Sequence, residues 1–297
     1  MSQSQVAPYG SWKSPVTSDL IVSGTVGLGH ITLEGDEVYW IEMRPSEGGR
    51  NCIVRRTAGG QTNDVTPPGF NARTRVHEYG GGDFVVHEGT VYFSNFDDQR
   101  LYEQAPGAEP RPVTPAGKMR YSDGAVDARR GRLLVVREDH SAEGAEAVNT
   151  IVALKIGGEV DGNGGAVLVE GADFYSTPRL SPDGSKLAWL QWNHPNLPWD
   201  GSELWVGEVN ADGSLGASGK VAGGPEECIF QPEWSPTGVL YFISDRSNWW
   251  NLYRLGEGGE PEAMCKREAE FGVPQWLFAM STYSFAAETR IICAINE

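Results

Sequence analysis

Long hydrophobic runs are what this sequence lacks first. No stretch approaches the roughly 18 apolar residues that a bilayer-spanning helix needs. The opening MSQSQVAPYGSWKSP also lacks the basic start and apolar run of a secretory signal. Cysteine is scarce. The four present (Cys52, Cys228, Cys265, Cys293) are scattered without a C-x-x-C pair, which fits neither a zinc site nor a disulfide framework. Basic side chains are outnumbered, 24 Lys and Arg against 40 Asp and Glu, for a net charge of −16. That sign repels phosphate backbones and anionic lipid, so neither nucleic acid nor a membrane surface is expected as a partner. Together these absences predict a cytoplasmic protein with no cofactor and no metal site.

Turn residues are abundant by contrast. The 38 Gly and 18 Pro fall in short punctuating clusters, the distribution of a chain with many turns. At 297 residues the chain can bury about three quarters of its unfolded surface, so a core without staples is feasible. Apolar runs follow a glycine in the same way again and again: Gly35-DEVYWIEM, Gly89-TVYFSNF, Gly131-RLLVVRED, Gly184-SKLAWLQW, Gly238-VLYFISD, then TRIICAINE. The five glycines stand 54, 42, 53 and 54 residues apart. About 40–50 residues is the period of a four-stranded propeller blade, too long for leucine-rich or ankyrin repeats.

Each unit repeats one internal order. An inner strand such as Thr177-PRL or Pro232-EW runs into a tight turn, Ser181-PDG or Ser235-PTG, whose Pro and Gly pre-set the backbone. The second strand is apolar on both faces, because neighbouring blades cover it from both sides. A third follows after a loop, as in SELWVGEV and NLYRLGE. The fold class is therefore all-β: a single β-propeller domain over residues 1–297, with 1–24 as a lead-in. Five blades are complete, and a sixth is expected to start near Pro274-QWLFAM and to be incomplete at Glu297.

With the repeats laid out, a resemblance becomes visible. The stretches YGSWKSPVTSDL (9–20), DVTPPGFNARTRVHEYGGGDF (64–84), YFSNFDDQRLY (92–102), WNHPNLPWDGSELWVGEV (192–209) and SDRSNWWNLYR (244–254) look like the propeller of a prolyl-oligopeptidase-family serine peptidase, nearest the dipeptidyl and acylaminoacyl peptidases. The likeness runs through essentially the whole chain. The Trp-Asn-His-Pro and His-Glu-Tyr-Gly-Gly-Gly stretches are specific to it, whereas the Ser-Pro-Asp-Gly turns are shared with many TolB-like propellers. The resemblance implies a peptidase context, with peptides and a C-terminal α/β-hydrolase domain as partners. This sequence has no G-x-S-x-G elbow: Gly216-Ala-Ser-Gly fails at its last position. The expected role is thus non-catalytic, gating peptide access to a hydrolase. The alternative is a stand-alone interaction scaffold of TolB or WD type.

Other chemistries find little support. His77-Glu78 and His87-Glu88 lack the second histidine of a zinc-protease helix and read as strand-like. Gly80-Gly81-Gly82 has no following Lys-Ser/Thr and reads as a backbone turn at a crowded place. Asp161-Gly-Asn-Gly has too few carboxylates for a calcium loop and reads as a hairpin. Trp189, Trp205, Trp234 and Trp276 are read as inter-blade core.

The loops after the second strands are rich in charge and aromatic groups, and alternating strand direction brings them to one face of the disc. The candidate binding residues, interdomain or peptide-facing, are Glu42, Arg44, Arg137, His194, Trp199, Arg246 and Trp249, each placed just beyond an apolar run. Arg pairs with carboxylates on a facing surface, and Trp fills a pocket there. No catalytic residue is expected.

Overall fold

A computed structural model describes residues 6–297; the first five residues of the 1–24 lead-in lie outside the described residues. Five sheets each contain four antiparallel strands in consecutive order. Blade 1 holds β1 (Gly27–Glu34), β2 (Glu37–Arg44), β3 (Arg50–Arg56) and β4 (Thr62–Asp64). Blade 2 holds β5 (Phe84–His87), β6 (Thr90–Ser94), β7 (Leu101–Gln104) and β8 (Arg111–Pro112). Blade 3 holds β9 (Met119–Asp127), β10 (Arg132–Asp139), β11 (Val148–Lys155) and β12 (Ala166–Val169). Blade 4 holds β13 (Phe174–Leu180), β14 (Lys186–Trp192), β15 (Glu203–Val209) and β16 (Leu215–Gly223). Blade 5 holds β17 (Ile229–Trp234), β18 (Leu240–Ser244), β19 (Asn251–Leu255) and β20 (Pro261–Ala263). β21 (Tyr283–Ala287) and β22 (Arg290–Cys293) pair as a two-stranded sheet. This is a β-propeller.

The tight turns form for the reason the sequence suggests. Ser181 accepts the Gly184 N–H on its carbonyl and the Lys186 N–H on its hydroxyl, while Gly184 supplies a positive φ of 65°. Ser235, Gly238 and Val239 repeat the arrangement in blade 5. Second strands are buried almost end to end, as in β10 and β14, while the outermost β4 is fully exposed. Each pair of neighbouring blades shares its own core. Tyr39 and Ile53 meet Val91 and Phe93 between blades 1 and 2, and Leu134 and Ile151 meet Tyr175 and Trp189 between blades 3 and 4. First strands of blades 1 to 5 lie side by side around the axis.

Those first strands share an irregularity that the sequence did not announce. A bulge interrupts the pairing of β1, β9, β13 and β17 at His30-Ile31, Asp123-Gly124, Thr177-Pro178 and Gln231-Pro232. The first residue of each pair has positive φ. Such bulges re-aim side chains and backbone groups, and here they produce links between blades. Asp123 accepts the Thr177 N–H at 2.6 Å and the Arg179 guanidinium at 3.1 Å; Arg179 also reaches Glu233 at 3.2 Å.

Two expectations need correction. The sixth unit does not begin at Pro274: residues 274–280 form no strand, and β21 starts at Tyr283. Phe278 instead bridges in parallel to Gly81, which takes the segment out of any blade. His77-Glu78 is not strand-like but a turn, with φ of 51° and 64°. Among the described residues, no helix is long and apolar enough to cross a membrane.

Candidate functional site

The connection from β4 to β5 carries the His-Glu-Tyr-Gly-Gly-Gly stretch. Asp83 ties its two ends by accepting the Thr74 N–H at 2.7 Å. Inside, Glu78 N–H donates to the Arg75 carbonyl and Gly80 N–H to that of Val76, so the chain makes a compact turn. Two successive non-glycine residues with positive φ are a strained choice, the kind found at functional sites. The three glycines follow from crowding. A Cβ on Gly80 would collide with the Thr74 carbonyl oxygen; on Gly81 it would fall 2.6 Å from the Phe278 oxygen, and on Gly82 2.9 Å from the Asp123 Cα. Ser122 Oγ donates to the Gly81 carbonyl, and Phe278 N–H to that of Gly80. The turn is thus held between the first strand of blade 3 and segment 274–280.

Beside it opens a cavity of about 640 Å³. Its walls are the 77–80 turn, the β10–β11 loop, residues 173–174, the β14–β15 loop and residues 275–278. Two of these walls are second-to-third-strand loops, of blades 3 and 4. Aromatic rings dominate. Phe174 stacks on Trp192 with centroids 5.6 Å apart at 15°, and His77 meets Phe174, Trp192 and Phe278 at 5.2, 5.5 and 4.8 Å. At the rim Trp276 lies 4.3 Å from Trp199 and meets Tyr79 edge-on at 6.1 Å.

Polar groups are tied to each other. Glu138 accepts the His77 backbone N–H at 2.7 Å and pairs with His140 Nε2 at 3.0 Å. Arg120 reaches Glu78 at 2.9 Å and Glu138 at 3.5 Å. Its hydrogen bond holds the Glu78 carboxyl below the ordinary range. Asp173 accepts both the N–H and the ring Nδ1 of His194, and these bonds lower its pKa. Burial pushes the His77 imidazole down to about 3, so it is neutral, and its Nε2 has no partner among the described residues. Among the described residues, no Ser, Thr or Cys lines the cavity. Among the described residues, no group of three or more His, Cys, Asp or Glu is placed to hold a metal. What the walls offer is recognition of flat and apolar groups.

Of the seven candidate residues, the structure brings His194 and Trp199 to this cavity. Glu42 and Arg44 belong to an ion cluster inside blade 1, where Arg44 contacts Glu42 at 2.7 Å, Asp64 at 2.6 Å and Glu47 at 3.2 Å. Arg137 is a correction: it lies within β10, buried, with its guanidinium 3.4 Å from the Gly164 carbonyl. Arg246 pairs with Glu227 at 2.9 Å and covers the Tyr253 ring, and Trp249 is exposed in the β18–β19 loop. Trp276 is not inter-blade core but 52% exposed. Tyr79, Phe174 and Trp276 complete the site without having been singled out for it. Of these three, only Tyr79 stands in a stretch that the sequence marked as specific, His-Glu-Tyr-Gly-Gly-Gly.

Comparison with known proteins decides the relationship. The chain matches a puromycin-hydrolyzing peptidase of Mycobacterium tuberculosis at 37% identity over 98% of its length, with a TM-score of 0.89. A puromycin hydrolase matches at 35% identity over 99% of this chain, again at 0.89. The chain is a β-propeller of the prolyl-oligopeptidase family. It spans about half the length of these relatives, 47% of each. Prolyl oligopeptidase B of Galerina marginata shares the fold, at 13% identity and a TM-score of 0.57 over 85% of this chain and 40% of that one. No protein-family model matches the chain, and no curated protein does.

Proposed function

We propose that this chain is the non-catalytic propeller of a serine peptidase, packing over an α/β-hydrolase domain and limiting which peptides reach it in the cytoplasm. The observation that carries the reading is the aromatic cavity framed by the second-to-third-strand loops of blades 3 and 4. A rigid scaffold with such a hollow on one face suits capture of an extended chain end and exclusion of folded protein. The relatives support the context: two are named for hydrolysing puromycin, and the Galerina enzyme is bound to a 25mer substrate. His194, Trp199, Arg246 and Trp249 belong to the proposed contact face, with Glu42 and Arg44 at its blade 1 end. Burial removes Arg137 from it.

The test supplies a hydrolase domain from a related peptidase in trans. The chain is expected to bind it and to slow turnover of long peptides more than that of tripeptides. On its own it should neither cleave aminoacyl-nitroanilides nor take up a fluorophosphonate label. A hydrolase that neither binds nor changes its length preference would refute the reading.

A further inference from the structure

The cavity holds four carboxylates near its walls, which would ordinarily suggest a cationic guest. The bonding pattern argues otherwise. Glu78 and Glu138 share Arg120, Glu138 also holds His140, and Asp173 is occupied by His194. Glu146 is without an ion-pair partner among the described residues, but it stands exposed on the β10–β11 loop. At the other three carboxylates a cation would displace an existing partner rather than meet a free charge.

The aromatic groups are in the opposite condition. Deep in the cavity, Phe174, Trp192, His77 and Phe278 already satisfy one another by stacked and edge contacts. At the mouth Trp276 touches Trp199 and Tyr79 yet leaves much of its surface open. Trp276 is 52% exposed and Tyr79 62%, with Leu197 and Leu277 also open beside them. Large apolar side chains left wet around a hollow mark a binding site. Trp199 fixes Trp276 from one side, and the Phe278 backbone bond to Gly80 fixes the segment that carries it. The indole is thereby pre-oriented before any guest arrives, which reduces the ordering cost of binding.

We propose that this mouth is a subsite for an uncharged aromatic ring on the peptide, packed against the open surfaces of Tyr79 and Trp276, with Trp199 backing the Trp276 indole. The inference rests on the reading of the cavity as a peptide site and adds the side-chain class it selects. Offset or edge-on packing against a fixed indole favours a flat ring over a branched aliphatic group of similar size. A lysine side chain would find only Glu146 without an ion-pair partner, and that carboxylate stands exposed on the β10–β11 loop, where water screens the attraction.

The experiment titrates the chain, by ligand-observed NMR, with N-acetylphenylalaninamide, N-acetylleucinamide and N-acetyl-lysinamide. The phenylalanine amide should bind about fivefold more tightly than either of the others, the weight of one aromatic pair. Trp276→Ala should erase that preference and Trp276→Phe should keep most of it. Trp276 is half exposed, so both variants should fold, and circular dichroism checks this. Tyr79→Ala serves as the second variant, with a partial loss expected. Equal binding of the three amides, no binding of any, tightest binding of the lysine amide, or a preference untouched by Trp276→Ala would each overturn the subsite. Because no hydrolase is present in the titration, failure of docking leaves this result intact. Failure of the titration likewise leaves docking standing.

Discussion

Gly81 and Phe278 meet backbone to backbone: a Cβ on residue 81 would stand 2.6 Å from the Phe278 oxygen and 2.8 Å from its nitrogen. Neither atom belongs to a flexible side-chain tip, so the clash can be relieved only by moving a main chain. Gly81 also has a φ of 90°, which adds strain for any other residue. Gly81→Ala is therefore expected to destabilise the fold by about 2 kcal/mol or more, in the range of special-backbone substitutions. It should also lower the hydrogen-exchange protection of the Phe278 amide. Denaturant unfolding together with exchange at that amide checks both. An unchanged midpoint would show that the bridge is not needed.

Asp123, Arg179 and Glu233 link the first strands of blades 3, 4 and 5. Asp123 is almost fully buried, so removing its cation leaves a charge with only backbone support. Arg179→Met is expected to cost about 3 kcal/mol, as breaking a buried pair does. Adding Asp123→Asn should recover part of that loss, so the double variant falls short of the sum. Additive losses in urea unfolding would mean that the two groups stand independently.

The blades were legible in the sequence because their strongest signal needs no knowledge of neighbours. A second strand covered on both faces is apolar at every position, as Leu133–Val136 and Leu187–Leu190 are, and the glycine before it marks the turn. The cavity was not legible. It depends on a parallel bridge between Gly81 and Phe278, far apart in the chain and outside any repeat. Trp276 has the composition of core and the position of a rim, and composition cannot separate these. Arg137 shows the converse error. A charged residue was taken as the end of a strand run, yet β10 continues to Asp139 because β9 and β11 pair with it on both sides to that point, and the Arg137 guanidinium lies alongside the Gly164 carbonyl.

The first strand of blade 1 leaves Leu28, Ile31 and Leu33 exposed at 72%, 71% and 68%. Apolar groups this wet on one strand favour association. The purified chain is expected to show a scattering mass that rises with concentration, and Leu28→Lys with Leu33→Glu should lower it without shifting the unfolding midpoint. A concentration-independent monomer mass for the parent would remove the basis for this expectation.

Three buried groups give stability a pH dependence whose sign can be worked out. Burial lowers His30 from 6.5 to about 4 and His77 from 6.5 to about 3. Both are neutral in the folded chain and protonated in the unfolded chain as pH falls below 6.5, so their contribution is complete above 6.5 and is lost toward acid. Asp83 runs the other way. Burial raises it from 3.8 to about 7, so the folded chain keeps a proton that the unfolded chain releases, and stability falls as pH rises through that window. Near pH 5 the unfolded chain holds almost two extra protons at the histidines and the folded chain almost one at Asp83. The balance there is about one proton, so stability rises by about 1.4 kcal/mol per pH unit, and the slope shrinks toward pH 6.5 as the unfolded histidines lose their protons. From about pH 7 upward the remaining histidine and Asp83 protons nearly cancel, so the curve should level. Asp64 and Asp173 are held below their ordinary range by Arg44 and His194 and titrate beneath this window. His77→Phe should flatten the slope to near zero, because it leaves one group on each side. Asp83→Asn should double the slope, because it removes the opposing group. Urea midpoints at four pH values between 5 and 8 distinguish the three chains. A parent slope of the opposite sign, or one that neither substitution changes, would place these protons elsewhere.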